Sequence, residues 1–167
     1  SSPTEETIRM GIKFYPEPSR FKATLSHLKP GDKLIISQLA GNFTLPKDPQ
    51  QKCVFIAGGI GVTPFRSMVK YLIDTEQKRD IVLLYSNKIK SEIVYTDIFN
   101  LAQKQFGLKT VYTLTDTNQI PLDWQGDVGP ITQPMIEQHI PDYHERVFYL
   151  SGPHGMVSVF EETLSKI

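Results

Sequence analysis

The sequence predicts an α/β fold with a Rossmann-like parallel sheet, preceded by a shorter segment of antiparallel β character. Strand and helix patterns alternate four times after residue 50, which implies parallel strands joined by right-handed crossovers. The runs Cys53–Ala57 and Ile81–Tyr85 are continuously apolar, as in strands buried on both faces. The chain has 167 residues, 40% of them hydrophobic, which is typical of one globular domain.

The elements of the sheet follow one another in chain order. They start with the strand Cys53–Ala57 and are interrupted by an irregular stretch at residues 116–130. Before that stretch, Gly107 is a suitable helix end. Beyond that stretch, Thr132 is a suitable N-cap. The other predicted elements are helix Pro64–Thr75, strand Ile81–Tyr85, helix Ser91–Phe106, strand Lys109–Thr115, helix Thr132–His139, strand Arg146–Leu150 and helix Gly155–Lys166.

The segment before the sheet has a different pattern. Alternating side chains predict strands at Ile8–Phe14 and Lys33–Leu39, with a helix at Glu17–Leu28 between them. Two prolines with polar neighbours near residue 48 indicate a linker. We therefore expect two units, residues 1–48 and 49–167.

Charge and cysteine content narrow the functional classes. The 18 Lys and Arg residues balance the 18 Asp and Glu residues, so the chain lacks the basic excess of a nucleic-acid binder. No apolar run approaches the roughly 20 residues that span a bilayer. Cys53 stands alone, and the four histidines show no paired metal-ligand spacing. We expect a cytoplasmic protein with no nucleic-acid partner, no membrane segment in this chain and no metal site.

A glycine-rich loop follows the first strand of the sheet, at the edge where parallel sheets bind ligands. Gly58, Gly59 and Gly61 let an anion approach the main chain without meeting a Cβ atom. Thr63 can cap the next helix and Pro64 suits its first turn, where free N–H groups favour a pyrophosphate. The third glycine of the usual dinucleotide fingerprint is absent, as is a P-loop ending. A turn that serves chain geometry alone is the alternative.

The segment Ser151–Met156 follows the last strand in the same way. Gly152 and Pro153 again shape the backbone at the ligand edge, and we expect Ser151 close to whatever the first loop holds. A hydrolase is disfavoured, because Tyr149 stands where the nucleophile elbow requires glycine.

Together, Phe55–Phe65 and Tyr149–Val157 resemble the nucleotide-binding domain of the ferredoxin–NADP reductase family, and the resemblance covers residues 50–167. It implies a reductase that transfers hydride from NADH or NADPH to FAD and passes electrons to an acceptor protein or small molecule. It implies catalytic positions at Ser151 and Thr63, beside the nicotinamide. The cofactor-binding positions it implies are Gly58, Gly59, Gly61, Thr63, Pro64, Ser86, Asn87, Thr115, Asp116, Ser151, Gly152, Pro153 and Met156.

The preference between the two nucleotides depends on the residues after the third strand. NADPH-preferring relatives often carry Ser-Arg where this chain has Thr115 and Asp116, and a carboxylate would repel a 2′-phosphate. This favours NADH. Lys88 offers a compensating charge, and a solvated loop position is the alternative for Asp116.

Residues 7–46 resemble the second half of the family's antiparallel flavin barrel. Arg20 and Lys22, at the helix start, would neutralise the flavin pyrophosphate, and an ordinary charged helix face is the alternative. The family's flavin-ring motif is not in the sequence, and a six-stranded barrel needs roughly 70 residues. We therefore expect a truncated flavin site and unpaired β edges through which a dimer forms. The alternative functions are an NAD(H)-binding module without redox activity of its own and a domain retained for partner contact.

Overall fold

A five-stranded, fully parallel sheet lies at the centre of the computed structural model, which describes residues 1–36 and 41–164. The strand order is β4-β3-β2-β1-β5, which confirms the expected Rossmann-like α/β class. No helix among these residues is long and apolar enough to cross a bilayer. The elements are α1 (Arg20–Ser26), β1 (Cys53–Gly58), α2 (Thr63–Asp74), β2 (Ile81–Asn87), α3 (Thr96–Phe106), β3 (Lys109–Leu114), β4 (Asp127–Val128), α4 (Gln133–His139), β5 (Val147–Ser151) and α5 (His154–Leu164).

Strand β1 is buried along its whole length and pairs with β2 on one side and β5 on the other. Its alternate side chains enter two cores. Phe55 stacks on Phe65 of α2, with ring centroids 4.5 Å apart, on the α2 and α3 face. Ile56 packs on the opposite face with Ile136 of α4 and Phe160 of α5. Helices thus cover both faces of the sheet, which leaves the ends of its strands open for binding.

Element boundaries depart from the sequence prediction by more than two residues at three places. Helix α1 spans only Arg20–Ser26 of the predicted Glu17–Leu28, because Ser19 caps it by accepting from the Lys22 N–H. Helix α3 begins at Thr96 instead of Ser91, because Tyr95 adopts a left-handed conformation (φ 63°) after a 3₁₀ turn at Lys90–Glu92. The short strand β4 lies within residues 116–130, which we expected to be irregular. Two residues are too few to leave an alternating pattern that the sequence would reveal.

The strands predicted in the first unit are not formed in the described residues. Residues 8–14 and 33–36 have no regular structure, and residues 37–39 of the second predicted strand lie outside the described part. Ile8 and Ile35 are 84% and 95% exposed. A strand is stable only when paired, and neither segment forms a strand ladder with any other described residues. The β edges expected to support a dimer are therefore absent from residues 1–36.

The first residues of the chain are instead fixed on α2. Glu5 forms an ion pair with the largely buried Arg66, and the second guanidinium nitrogen lies 2.8 Å from Glu5 Oε1. The Ser67 hydroxyl donates to the Ser1 carbonyl. The hydrogen bond from Arg66 lowers the pKa of Glu5 to about 2. This segment therefore packs as part of the second unit.

The linker is also fixed on the second unit. The Phe43 ring packs against Tyr149, with centroids 5.5 Å apart, and the Tyr149 hydroxyl donates to the Thr44 carbonyl at 2.9 Å. Arg79 Nη1 donates to the carbonyls of Pro46 and Asp48, both at 2.9 Å. Residues 43–48 are thus held by Tyr149 of β5 and by Arg79, which lies just before β2.

A cluster of charged side chains joins the amino ends of β1, β2 and β5. Arg146, whose side chain is only 7% exposed, contacts Asp80 at 2.7 Å and Asp142 at 2.8 Å. Lys52 lies 2.8 Å from Asp142 and 2.7 Å from Glu145. Hydrogen bonds from Arg146 and Lys52 hold the pKa of Asp142 well below its usual range, and those carboxylates raise the pKa of Lys52 to about 12. This cluster stabilises the sheet at the edge opposite the strands' carboxyl ends.

Candidate functional site

A cleft of about 740 Å³ opens at the carboxyl ends of the strands. The loops after β1, β2, β3 and β5 all contribute to its walls. The parallel register explains this convergence, because Gly58 is level with Ser86 of β2 and Ala57 with Ser151 of β5. Most of the residues singled out from the sequence line it: Gly58, Gly59, Gly61, Thr63, Ser86, Asn87, Thr115, Ser151, Gly152, Pro153 and Met156.

The two glycine-containing loops touch at Gly61. A Cβ atom built on Gly61 would lie 2.6 Å from the Ser151 carbonyl carbon and 2.7 Å from Gly152 Cα. These are backbone atoms that no rotamer change can move. Glycine at this position is therefore required for the loops after β1 and β5 to meet.

The loop after β1 enters its helix through a 3₁₀ turn, Gly59–Val62, which starts with Gly59 at φ +52°. The prediction that Thr63 caps α2 is wrong. Val62 is the N-cap, without a side-chain bond, and Thr63 is already helical, with its N–H donating to the Ile60 carbonyl. The Thr63 side chain therefore makes no capping bond, and it lines the cleft. Pro64, one residue on, lies outside the lining.

Asn87, at the end of β2, is the most unusual polar residue of the cleft wall. It is 3% exposed, and neither its amide oxygen nor its amide nitrogen meets hydrogen-bond geometry with any group in the described part of the chain. The Tyr85 hydroxyl interacts with this amide at a geometry short of a full hydrogen bond, and burial raises the pKa of that tyrosine. A buried amide without well-formed hydrogen bonds costs up to about 1–3 kcal/mol, and a polar ligand in the cleft would lower that cost.

Of the two residues that follow β3, one lines the cleft and the other does not. Thr115 lines the cleft, and its N–H donates to the Asn87 carbonyl at 2.9 Å. Asp116 lies outside the lining. Its carboxylate accepts from the Asn118 N–H at 3.1 Å and from Gln119 Nε2 at 2.7 Å. These bonds direct the carboxylate into its own loop.

Several lining residues were not foreseen. Gly11, Lys13 and Tyr15 come from the first unit, and Lys13 Nζ lies 2.6 Å from Glu92 Oε1 at the rim. No periodic pattern places an irregular segment at a distant sheet edge, so the sequence carries no signal for them. The remaining unforeseen lining residues are Ile60, Glu92, Pro130, Ile131, Val159 and Phe160, whereas Lys88, which the sequence offered as a compensating charge, also lines the cleft.

The two cations expected at a flavin phosphate lie outside this cleft. Lys22 Nζ donates to the Lys13 carbonyl at 2.8 Å and lies 5.0 Å from the centroid of the Tyr15 ring. Arg20 is exposed on the single short helix α1. The described residues 1–36 therefore offer separate cations but no enclosed flavin pocket.

The cleft suits an elongated ligand with an anionic centre and flat ends. Backbone of the β1 and β5 loops forms its middle, while apolar side chains such as Ile60, Ile131 and Met156 form the walls. Glu92 balances the charge of Lys13, which leaves Lys88 as the uncompensated charge among the described lining residues. Mostly apolar walls with a few placed polar groups are typical of small-molecule and cofactor sites.

Comparison with known proteins supports the resemblance seen in the sequence. The family model of the oxidoreductase NAD-binding domain matches residues 55–162. The chain is 29% identical over 142 residues to the glycine betaine monooxygenase reductase subunit of Chromohalobacter salexigens, covering 83% of this chain and 38% of that protein. It is 30% identical over 151 residues to NADH-cytochrome b5 reductase 1 of Candida glabrata, covering 88% of this chain and 52% of that protein. The chain thus spans about half or less of these relatives.

A solved structure shares the fold. The cytochrome b5 reductase domain of Ulva prolifera nitrate reductase superposes with a TM-score of 0.72 at 23% identity, covering 86% of this chain and 59% of that one.

Proposed function

The chain belongs to the oxidoreductase NAD-binding domain family, and from this premise we propose that its cleft binds NADH or NADPH as the reductase portion of a flavin-dependent oxidoreductase. The contact between the β1 and β5 loops at Gly61 carries this proposal. It makes one continuous backbone surface of two loops that lie 90 residues apart in the sequence. Such a surface is suited to a dinucleotide, whose pyrophosphate and rings extend across several strand ends.

Each part of the nucleotide is assigned to a different group of lining residues. The 3₁₀ turn Gly59–Val62 borders the pyrophosphate, because Gly59 leaves the start of the turn uncovered, with nothing within 4 Å of its Cβ position. Ser151 and Thr63 flank the nicotinamide and orient its ring, with Gly152, Pro153 and Met156 closing the wall beneath it. The adenosine end lies over Ser86, Asn87 and Thr115, where the Asn87 amide gains the partners it lacks.

The flavin is held by a larger assembly than the described residues form. FAD, when bound, would supply the chemistry that accepts hydride from the nicotinamide and delivers electrons to the acceptor. Residues 1–36 form no flavin pocket, so the contribution of this chain is to bind the nucleotide and orient it. We propose an electron-acceptor protein or small molecule as the partner of the whole protein, and a cytoplasmic location consistent with its lone cysteine.

The absence of a flavin pocket from residues 1–36 favours a second candidate, an NAD(H)-binding module that performs no redox chemistry by itself. Calorimetric titration with NADH and NADPH tests the binding that both candidates share. Addition of FAD and an artificial electron acceptor then separates them, since only the reductase oxidises NADH.

A matched pair of variants locates the site. Ser151→Ala, in the cleft, is expected to weaken NADH binding by about three- to tenfold through loss of one hydrogen bond. Ser158→Ala, on the exposed face of α5, is expected to leave it unchanged. No binding of either nucleotide at millimolar concentration would contradict the proposal.

A further inference from the structure

The adenosine end of the cleft has a charge pattern that separates the two nucleotides. We infer that this site binds NADPH more tightly than NADH, and that Lys88 is the residue that determines this specificity. The inference rests on the proposed function and refines it, because NADPH differs from NADH only by a phosphate on the 2′-oxygen of the adenosine ribose.

The carboxylate that the sequence offered as a barrier to that phosphate is engaged elsewhere. Asp116 Oδ1 accepts from the Asn118 N–H and Asp116 Oδ2 from Gln119 Nε2, so both oxygens point into the residues that follow. The side chain is absent from the cleft lining, whereas the preceding Thr115 is part of it. Thr115 therefore presents a hydroxyl to the ribose end, while the Asp116 carboxylate is turned towards its own loop.

Lys88 supplies the attraction. It lies directly after β2, lines the cleft and is exposed. Two other lysines near the rim are neutralised: Lys13 Nζ lies 2.6 Å from Glu92, and Lys90 Nζ lies 2.6 Å from Asp123. The structure records no ion pair for Lys88 within residues 1–36 and 41–164. Its ammonium group is thus available to a ligand.

Neutral groups around Lys88 complete a phosphate-tolerant corner. Ser86 and Thr115 bring hydroxyls from adjacent strands, and the buried Asn87 amide has unused donors. Hydroxyl and amide donors hydrogen-bond to phosphate oxygens as well as to a ribose hydroxyl. The same corner therefore accepts both nucleotides, and the extra charge of the phosphate acts through Lys88.

Binding of adenosine 2′,5′-bisphosphate and of 5′-AMP to the full chain isolates this corner from the nicotinamide end. We expect the bisphosphate to bind about tenfold more tightly at low salt, with the advantage shrinking as ionic strength screens the exposed charge. Lys88→Ala is expected to remove the difference by weakening the bisphosphate alone, and Lys88→Glu to reverse it.

Two controls and one further titration make the result decisive. Lys90→Ala removes a lysine from the same loop that is already paired with Asp123, and it is expected to leave the ratio of the two affinities within twofold. Asp116→Asn removes a carboxylate whose charge still acts at low salt, and it is expected to keep or increase the preference for the bisphosphate. Equal binding of both probes, or an unchanged ratio in Lys88→Ala, would overturn the inference while NADH binding kept the proposed function intact. If NADH also fails to bind, the proposed function and this inference fall together.

Discussion

Replacement of Gly61 by alanine should separate the two loops that form the middle of the cleft. The new methyl group would lie 2.6 Å from the Ser151 carbonyl carbon. Carbon atoms prefer separations of about 3.5 Å or more, so the loops must move apart by about 0.9 Å. Because both partners are backbone, neither can give way by rotating a side chain.

The cost follows from this displacement. Overpacking a closely fitted contact destabilises a protein by about 1–3 kcal/mol, and a backbone obstacle puts Gly61→Ala at about 2 kcal/mol. For a domain of this size we expect the urea midpoint to fall by roughly 1 M and the Tm by roughly 4–8 °C. Nucleotide affinity should fall at least about tenfold, because the turn and Ser151 no longer hold their relative positions.

Urea unfolding followed by circular dichroism measures the first effect, and calorimetric titration with NADH measures the second. Gly155→Ala is the matched control, because a Cβ there meets nothing within 4 Å and the residue lies in helix α5. It should leave binding unchanged and stability equal or higher by up to about 1 kcal/mol. Wild-type stability and affinity in Gly61→Ala would refute the steric reasoning.

Three further substitutions test other contacts. Glu5 has its pKa lowered to about 2 by Arg66, so wild-type stability should fall as the pH drops from about 4.5 towards 2. Glu5→Gln should flatten that decline, as measured by urea unfolding at each pH. Asn87→Leu should raise stability by about 1 kcal/mol, because an unpaired buried amide is removed, while NADH binding weakens about tenfold. Tyr149→Phe loses the 2.9 Å bond to the Thr44 carbonyl, which should lower stability by about 1 kcal/mol and speed protease cleavage near the linker.

Each of these has an outcome that would contradict it. A Glu5→Gln variant with the same acid sensitivity as wild type would show that the ion pair does not respond to pH in this range. Lower stability in Asn87→Leu would mean that the amide has a partner in solution. For Tyr149, the control is Tyr143→Phe, whose ring packs on His144 and for which the described residues show no hydroxyl bond; equal effects of the two changes would exclude a specific role for the bond.

The parallel sheet was predictable because β1 and β2 are buried on both faces and contain uninterrupted apolar runs. Gly107 and Thr132 marked a helix end and a helix start for local reasons, and the structure has both: Gly107 is left-handed at φ 80°, and Thr132 accepts from the Met135 N–H. Trp124 anchors its loop through a bond to a residue three positions on, with its indole N–H donating to the Asp127 carbonyl at 2.9 Å. These features depend on neighbours in the sequence, so one sequence is enough to find them.

The first unit was predicted less well for a physical reason. The alternating apolar residues at Ile8–Phe14 indicate that one face of this segment favours burial. Whether the segment forms a strand depends on a neighbouring strand to pair with, which the alternation itself does not reveal. The cleft shows the same limit. Lys13 and Tyr15 reach it through tertiary contacts, and the turning of Asp116 into its own loop depends on the two residues that follow it. Strand ends locate a site, whereas the direction of each side chain requires the structure.

The charged cluster around Arg146 has a consequence for how this domain can diversify. It joins the amino ends of β1, β2 and β5, whereas every lining residue contributed by these strands lies at or beyond their carboxyl ends. Substitutions in the loops after the strands therefore leave the charged contacts untouched. A descendant can exchange those loops for others, and so acquire a different ligand preference, while the sheet itself keeps its cohesion.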